Sequence, residues 1–158
     1  MREPVRRRGA RWILFILPLV AGCLAIGYAL RVQVLQIGDC GPVFRVAEGE
    51  TFSLRYTHSI YGVPVREEFR VEKNYLVLFH VASSDAALEY FAIEKREENN
   101  VRRALVEFSI PRASVGNHIL LLRESEISLR DLAGQDEHVR IGIGQLPVIT
   151  YVAKHVWG

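Results

Sequence analysis

Apolar residues follow two distinct patterns along this chain. From Trp12 to Leu30 the residues carry no charge, are almost all apolar, and close at Arg31. Nothing later resembles this run. About 19 residues at a rise of 1.5 Å nearly span the roughly 30 Å hydrocarbon layer of a bilayer, so the run predicts one N-terminal transmembrane helix. Past Arg31 the pattern alternates. Residues 32–37 predict a first strand, ended by Gly38 and Asp39, and 43–46 predict a second. Residues 51–58 place Phe52, Leu54 and Tyr56 on one face and Ser53, Arg55 and Thr57 on the other, the period of two that marks a half-buried strand. Gly62 and Pro64 make 59–64 a loop. Residues 65–71 return, with Phe69 and Val71 on one face and Arg66, Glu68 and Arg70 on the other. Residues 75–81 form another apolar strand.

The second half is less regular. Residues 83–95 fit a short helix and a strand equally well, and the charged stretch 94–100 predicts a solvated turn. Residues 104–110 alternate as one strand that ends at Pro111. Short apolar pieces follow at 118–122 and 127–129. Val139, Ile141 and Ile143 alternate with Arg140, Gly142 and Gly144, and after Pro147 residues 148–152 predict a last strand. Heptads, a repeat unit and a long amphipathic helix are all missing. Short strands separated by turn signals predict an all-β domain, an antiparallel β-sandwich or open barrel, behind one transmembrane helix. The expected organisation is a basic N-terminus (1–11), an anchor (12–30) and a β-domain (32–158), the last long enough for a hydrophobic core without staples.

Charge fixes the orientation of such an anchor. The 158 residues hold 20 basic and 18 acidic side chains, a formal net charge of +2. Five of the basic residues (Arg2, Arg6, Arg7, Arg8, Arg11) and one acid (Glu3) lie in residues 1–11, so the remainder holds 15 and 17. The basic excess therefore belongs to topology and not to a nucleic-acid-binding face. Under the positive-inside rule the arginines stay in the cytoplasm and the domain lies outside it, on the periplasmic side of a bacterial cytoplasmic membrane. A cleaved signal peptide is disfavoured, because the apolar core is long and Arg31-Val32-Gln33 is no small-residue site. Val20-Ala21-Gly22-Cys23 leaves a lipoprotein lipidated at Cys23 as the alternative. Within the anchor, Ala21, Ala25 and Ala29 recur every four residues beside Gly22, a small-residue stripe that lets membrane helices approach closely; ordinary alanine usage explains it equally well. Cys23 and Cys40 do not suit a disulfide within one chain.

Catalytic motifs are lacking. The chain has no G-x-S-x-G elbow, no H-E-x-x-H, no P-loop and no paired cysteines at zinc spacing, so neither a catalytic residue nor a metal or other cofactor is expected. One constellation stands out. Alternation turns His58 to the face of Leu54 and Tyr56, and Glu67 to the face of Phe69 and Val71. If the two strands form a hairpin, both polar groups point inward near its turn, and inward polar groups need partners. His58 and Glu67, with Ser59 and Glu68 beside them, are thus the candidate polar cluster. It serves either as a ligand-contacting site or as a structural pair that fixes hairpin register, the latter being favoured. A hydrolase built on Ser59 and His58 is disfavoured, because adjacent strand residues face opposite ways.

The elements Tyr56-Thr57-His58-Ser59 and Pro64-Val65-Arg66-Glu67-Glu68-Phe69-Arg70-Val71, with His118-Ile119-Leu120-Leu121, Ile127 to Leu132 and His138 to Ile141 after them, resemble an uncharacterised bacterial family known as domain of unknown function 1850. The chain departs from it at Ser83 to Leu88, where the family has a glycine-rich loop. The resemblance implies the same layout of one membrane segment and a short domain. It also implies an accessory role beside TRAP transporters of the TAXI type, with a permease as partner. The leading expectation is therefore a membrane-anchored, protein-binding accessory without catalytic activity. A small-ligand-binding or sensing module that uses the His58 and Glu67 end of the sheet is the alternative.

Overall fold

The computed structural model describes residues 9–39, 41–93, 100–132 and 137–157; the side chains of 9–14, 100, 101 and 157 are outside that description. The chain divides into two compact units, Met1–Val32 with Leu146–Gly158, and Gln33–Gln145.

The larger unit holds two sheets. Strands β1 (Arg31–Ile37), β2 (Val43–Arg45), β7 (Glu107–Pro111) and β10 (His138–Pro147) make a four-stranded sheet in the order β2-β1-β10-β7. Strands β3 (Thr51–Thr57), β4 (Pro64–Val71), β5 (Leu76–Ala82), β6 (Asn100–Leu105), β8 (Ile119–Leu122) and β9 (Ser125–Ser128) make a six-stranded sheet in the order β6-β5-β4-β3-β8-β9. Every pair with a stated register is antiparallel. The all-β expectation holds, in its sandwich form. Alternating residues of both sheets build one core. Phe52, Leu54, Val65, Phe69, Val71, Leu76 and Leu120 come from the six-stranded sheet, and Leu35, Ile37, Ile110, Val139 and Ile141 from the other. Phe69 is the keystone. Its ring stacks on Phe52 at 5.1 Å and, from the opposite sheet, on Phe108 at 5.0 Å.

Three local departures from the alternation have physical causes. First, β5 carries a bulge, so Leu76, Leu78 and Val81 point inward while Phe79 and His80 both turn away from the core. Second, the single strand expected over 104–110 is two. The chain leaves the six-stranded sheet at Leu105 and joins the other at Glu107, with Val106 exposed at the corner. Gly142, paired with Glu107, accommodates that crossing: a Cβ there would lie 3.0 Å from the Glu107 Cβ. Third, 83–95 resolves to a helix, α2 (Asp85–Tyr90), capped by the Ser84 hydroxyl accepting from the Ala87 N–H at 3.4 Å. The turn expected over 94–100 lies almost wholly outside the described residues, as does Cys40. A single helical turn, α3 (Leu129–Leu132), buries Leu129.

The smaller unit pairs α1 (Gly9–Ala29) with α4 (Val148–Trp157). The C-terminal stretch, expected to be a strand of the β-domain, is thus a helix that groups with α1. The Val148 N–H donates to the Leu30 carbonyl at 2.9 Å, and a Cβ on Gly27 would meet the Ile149 Cβ at 3.7 Å. Ala21, Gly22, Ala25 and Ala29 are exposed, and nothing lies within 4 Å of a Cβ placed on Gly22. The close approach thus falls at Gly27 and not on the alanine stripe. Cys23 is a free, exposed thiol. Among the described residues no helix is long and apolar enough to cross a membrane; residues 12–14 of the expected span have no described side chains.

Candidate functional site

The β3–β4 hairpin sets the site. Its register pairs Leu54 with Glu67, Tyr56 with Val65 and Thr57 with Pro64. His58 therefore stands one residue past the ladder, while Glu67 sits diagonally from Tyr56, within reach of a long side chain. The turn is closed by the His58 N–H donating to the Val63 carbonyl and the Gly62 N–H donating to the His58 carbonyl, both at 2.8 Å. Gly62 takes a φ of +62° there, a left-handed conformation that favours glycine.

Both candidate polar groups turn inward, but they do not bond to each other. Glu67 accepts a hydrogen bond from the Tyr56 hydroxyl at 2.8 Å, its sole hydrogen-bond partner among the described residues. His58 turns back on its own loop. Its Nδ1 accepts from the backbone N–H groups of Ile60 (3.2 Å) and Tyr61 (3.4 Å), which assigns the ring proton to Nε2. The His58 ring also packs against Tyr61, Tyr90 and Phe91 at 5.1–5.2 Å. Ser59 is exposed in the turn, and Glu68 lies on the opposite face, paired with Arg66 at 3.0 Å and near His80 at 3.6 Å. Hairpin register is the cause: the ladder ends at Thr57, so His58 belongs to the turn and Tyr56 takes its place beside the carboxylate.

Tyr56, His58, Ser59 and Glu67, but not Glu68, line a cavity of about 620 Å³, inside the size range of small-molecule sites. Its walls come from β3 and β4, from the 58–60 turn, from Tyr90 and Phe91 at the end of α2, from β7, and from the segment 113–118. The alternation of β3 singled out Tyr56 as inward but not as a partner. His118, Tyr90, Phe91 and Phe108 were not foreseen as site residues, because no local signal brings those segments to the hairpin. His118 follows a 3-10 turn (Val115–Asn117) and stacks on Tyr56 at 4.5 Å, 15° from parallel. It is buried, and its Nδ1 lacks a hydrogen-bond partner of regular geometry.

No family model, no curated protein and no solved structure matches this chain. The family resemblance rests on the quoted residues alone.

Electrostatics mark the cavity as unlike the rest of the surface. Burial raises the Glu67 carboxyl above its ordinary 4.5; the Tyr56 hydrogen bond and the charge of Arg103 oppose this without cancelling it. Burial, then the charge of Glu67 and the bond to it, hold the Tyr56 phenol far above its ordinary 10.0. Burial lowers the His118 imidazole below 6.5, opposed by the Ser114 backbone. A buried carboxyl, a phenol, two imidazoles and several aromatic faces can orient a small polar molecule. They do not assemble a nucleophile and base: His58 Nδ1 is committed to backbone donors, and Ser59 makes no hydrogen bond with it among the described residues. No group of three or more metal-binding side chains is found among the described residues either.

Proposed function

We propose that this chain is a membrane-tethered domain that binds a small polar ligand in the cavity at the hairpin end of the sandwich. The cavity carries the reading. It is roomy, walled by aromatic rings, and holds the Glu67 carboxyl, with one hydrogen bond among the described residues, and the His118 imidazole, whose buried Nδ1 lacks a partner of regular geometry. Burial of such groups is costly unless something satisfies them, and a bound ligand does so. No catalytic role is proposed. The tether rests on the arginine-flanked run of residues 12–30 and places the domain outside the cytoplasm.

Gly116 gives a direct test. It lines the cavity, and nothing lies within 4 Å of a Cβ placed on it, so the position accepts a side chain and Gly116→Phe is the variant used to probe the space. The thermal stability of the full chain in a maltoside detergent is measured against small amines, acids and sugars. A ligand at a hundredfold excess over its Kd stabilises by about 2.7 kcal/mol. At least one class should raise the melting temperature of the wild type and leave Gly116→Phe unmoved. Equal effects on both, or no effect from any class, would remove the ligand-binding reading.

A second reading, docking of α1 on a larger membrane protein such as a TRAP-type permease, is supported by the exposed small residues Ala21, Ala25 and Ala29 and by the family resemblance. Ala25→Leu should then reduce recovery of a permease with the tagged chain from native membranes. Unchanged recovery, or no permease at all, counts against it.

A further inference from the structure

The lining of the cavity constrains the charge of what it holds. Among the described residues that line it there is no lysine or arginine, and the sole carboxylate is that of Glu67. Arg103 acts on Glu67 from β6, is exposed, and is not part of the wall. Among these described residues a carboxylate or phosphate ligand would find no fixed positive partner, and it would face Glu67. The rings add a second constraint. Tyr56, Tyr90, Phe91 and Phe108 all contribute to the wall, and aromatic faces attract cations through their quadrupole. The third constraint is the incomplete use of Glu67, whose Oε1 accepts from Tyr56 and which has no other hydrogen-bond partner among the described residues.

Building on the ligand-binding reading, we infer that the cavity takes an organic cation, a protonated or quaternary amine, seated between the Glu67 carboxylate and the aromatic rings of Tyr90 and Phe91. The Tyr56 hydroxyl holds the carboxylate in place from one side, and the ammonium approaches from the cavity. His118 packs on the Tyr56 ring and lines the same cavity, adding a polar ring to its wall. Binding a cation also offsets the cost of keeping Glu67 ionised in a buried place, since an opposite charge nearby favours the charged form.

The test compares three probes on the full chain in a maltoside detergent by titration calorimetry: choline, its uncharged isostere 3,3-dimethylbutan-1-ol, and succinate. Choline should bind saturably and the isostere about tenfold more weakly, the scale of a desolvated cation–π contact. Glu67→Gln, which keeps a side-chain oxygen for the Tyr56 hydroxyl, should narrow that difference to the part owed to the rings. Tyr90→Leu, at a ring that is 58% exposed and so outside the core, should weaken choline several-fold without altering the melting temperature of the unliganded chain. Equal binding of choline and isostere, or tighter binding of succinate, overturns the cation assignment and leaves the cavity a ligand site. Absence of binding by all three overturns the cation assignment. The ligand-binding reading falls with it only if the amine, acid and sugar series also fails to stabilise the wild type.

Discussion

Glu67 and His118 face one cavity yet bind protons in opposite senses, and this gives the residue scale its prediction. Glu67 has its affinity for the proton raised on folding, so its contribution to stability is complete below the ordinary 4.5 and is lost as pH climbs through its raised value. His118 has its affinity lowered, so its contribution is complete above 6.5 and is lost as pH falls through its lowered value. Urea midpoints of wild type, Glu67→Gln and His118→Gln across pH 4 to 8 should separate the two. The gain from Glu67→Gln relative to wild type should grow with rising pH, whereas the loss from His118→Gln should shrink as pH falls. A difference that stays constant with pH would refute the linkage. At this scale the sequence told direction but not partnership. A period of two was enough to turn His58 and Glu67 inward. Which groups they meet depends on where the ladder stops, and that is decided by the His58–Val63 and Gly62–His58 bonds of the turn. Those are backbone contacts that leave no mark in the pattern of side chains.

Among the elements, α2 and the β8–β9 turn invite a paired prediction, because each holds a non-glycine residue in the left-handed region. Ala92, at φ 54°, ends α2 with the Ala92 N–H donating to Glu89 and the Ile93 N–H donating to Leu88, the double bond of a Schellman cap. Its side chain is exposed, so Ala92→Gly should stabilise the fold by about 1 kcal/mol. Arg123, at φ 57°, shares the backbone cost, but its guanidinium donates to Glu50 at 2.8 Å and to the Arg45 carbonyl at 2.7 Å. Arg123→Gly should therefore bring no gain, and calorimetric melting of both variants decides the matter. Strands β1, β3, β4 and β10 were legible from sequence; two other elements were not. The run Val148-Ile149-Thr150-Tyr151-Val152 is rich in β-branched residues and reads as a strand, yet packing of Ile149 on Gly27 makes it helical. Tertiary contact outweighs intrinsic propensity there. The division of 104–110 into β6 and β7 was hidden because alternation continues across Val106 while the chain changes sheets.

For the whole molecule the testable matter is which side of a membrane carries the domain. With Cys23 and Cys40 replaced by serine, Ser59→Cys supplies a single exposed thiol on the β3–β4 turn. A membrane-impermeant maleimide should label it in intact spheroplasts. Labelling only after lysis would overturn the proposed orientation. Intact mass distinguishes the two tethers: loss of residues 1–22 with added lipid identifies lipidation at Cys23, and an unshortened chain identifies the helical anchor. The two-pattern reading, continuous and then alternating, anticipated a helix followed by a sandwich. It did not anticipate that the chain's last helix groups with its first, since that grouping depends on distant contacts. The order of strands in the smaller sheet, β2-β1-β10-β7, also bears on how the molecule comes into being. Strands β3, β4 and β5 are consecutive neighbours, so their pairing needs only short loops to close. β1 emerges before them, yet one side of it waits for β10, nearly the whole domain later. Contacts so distant in sequence form slowly, and an unpaired strand edge attracts other chains while it waits. The nascent protein is therefore most vulnerable at the strand it makes first.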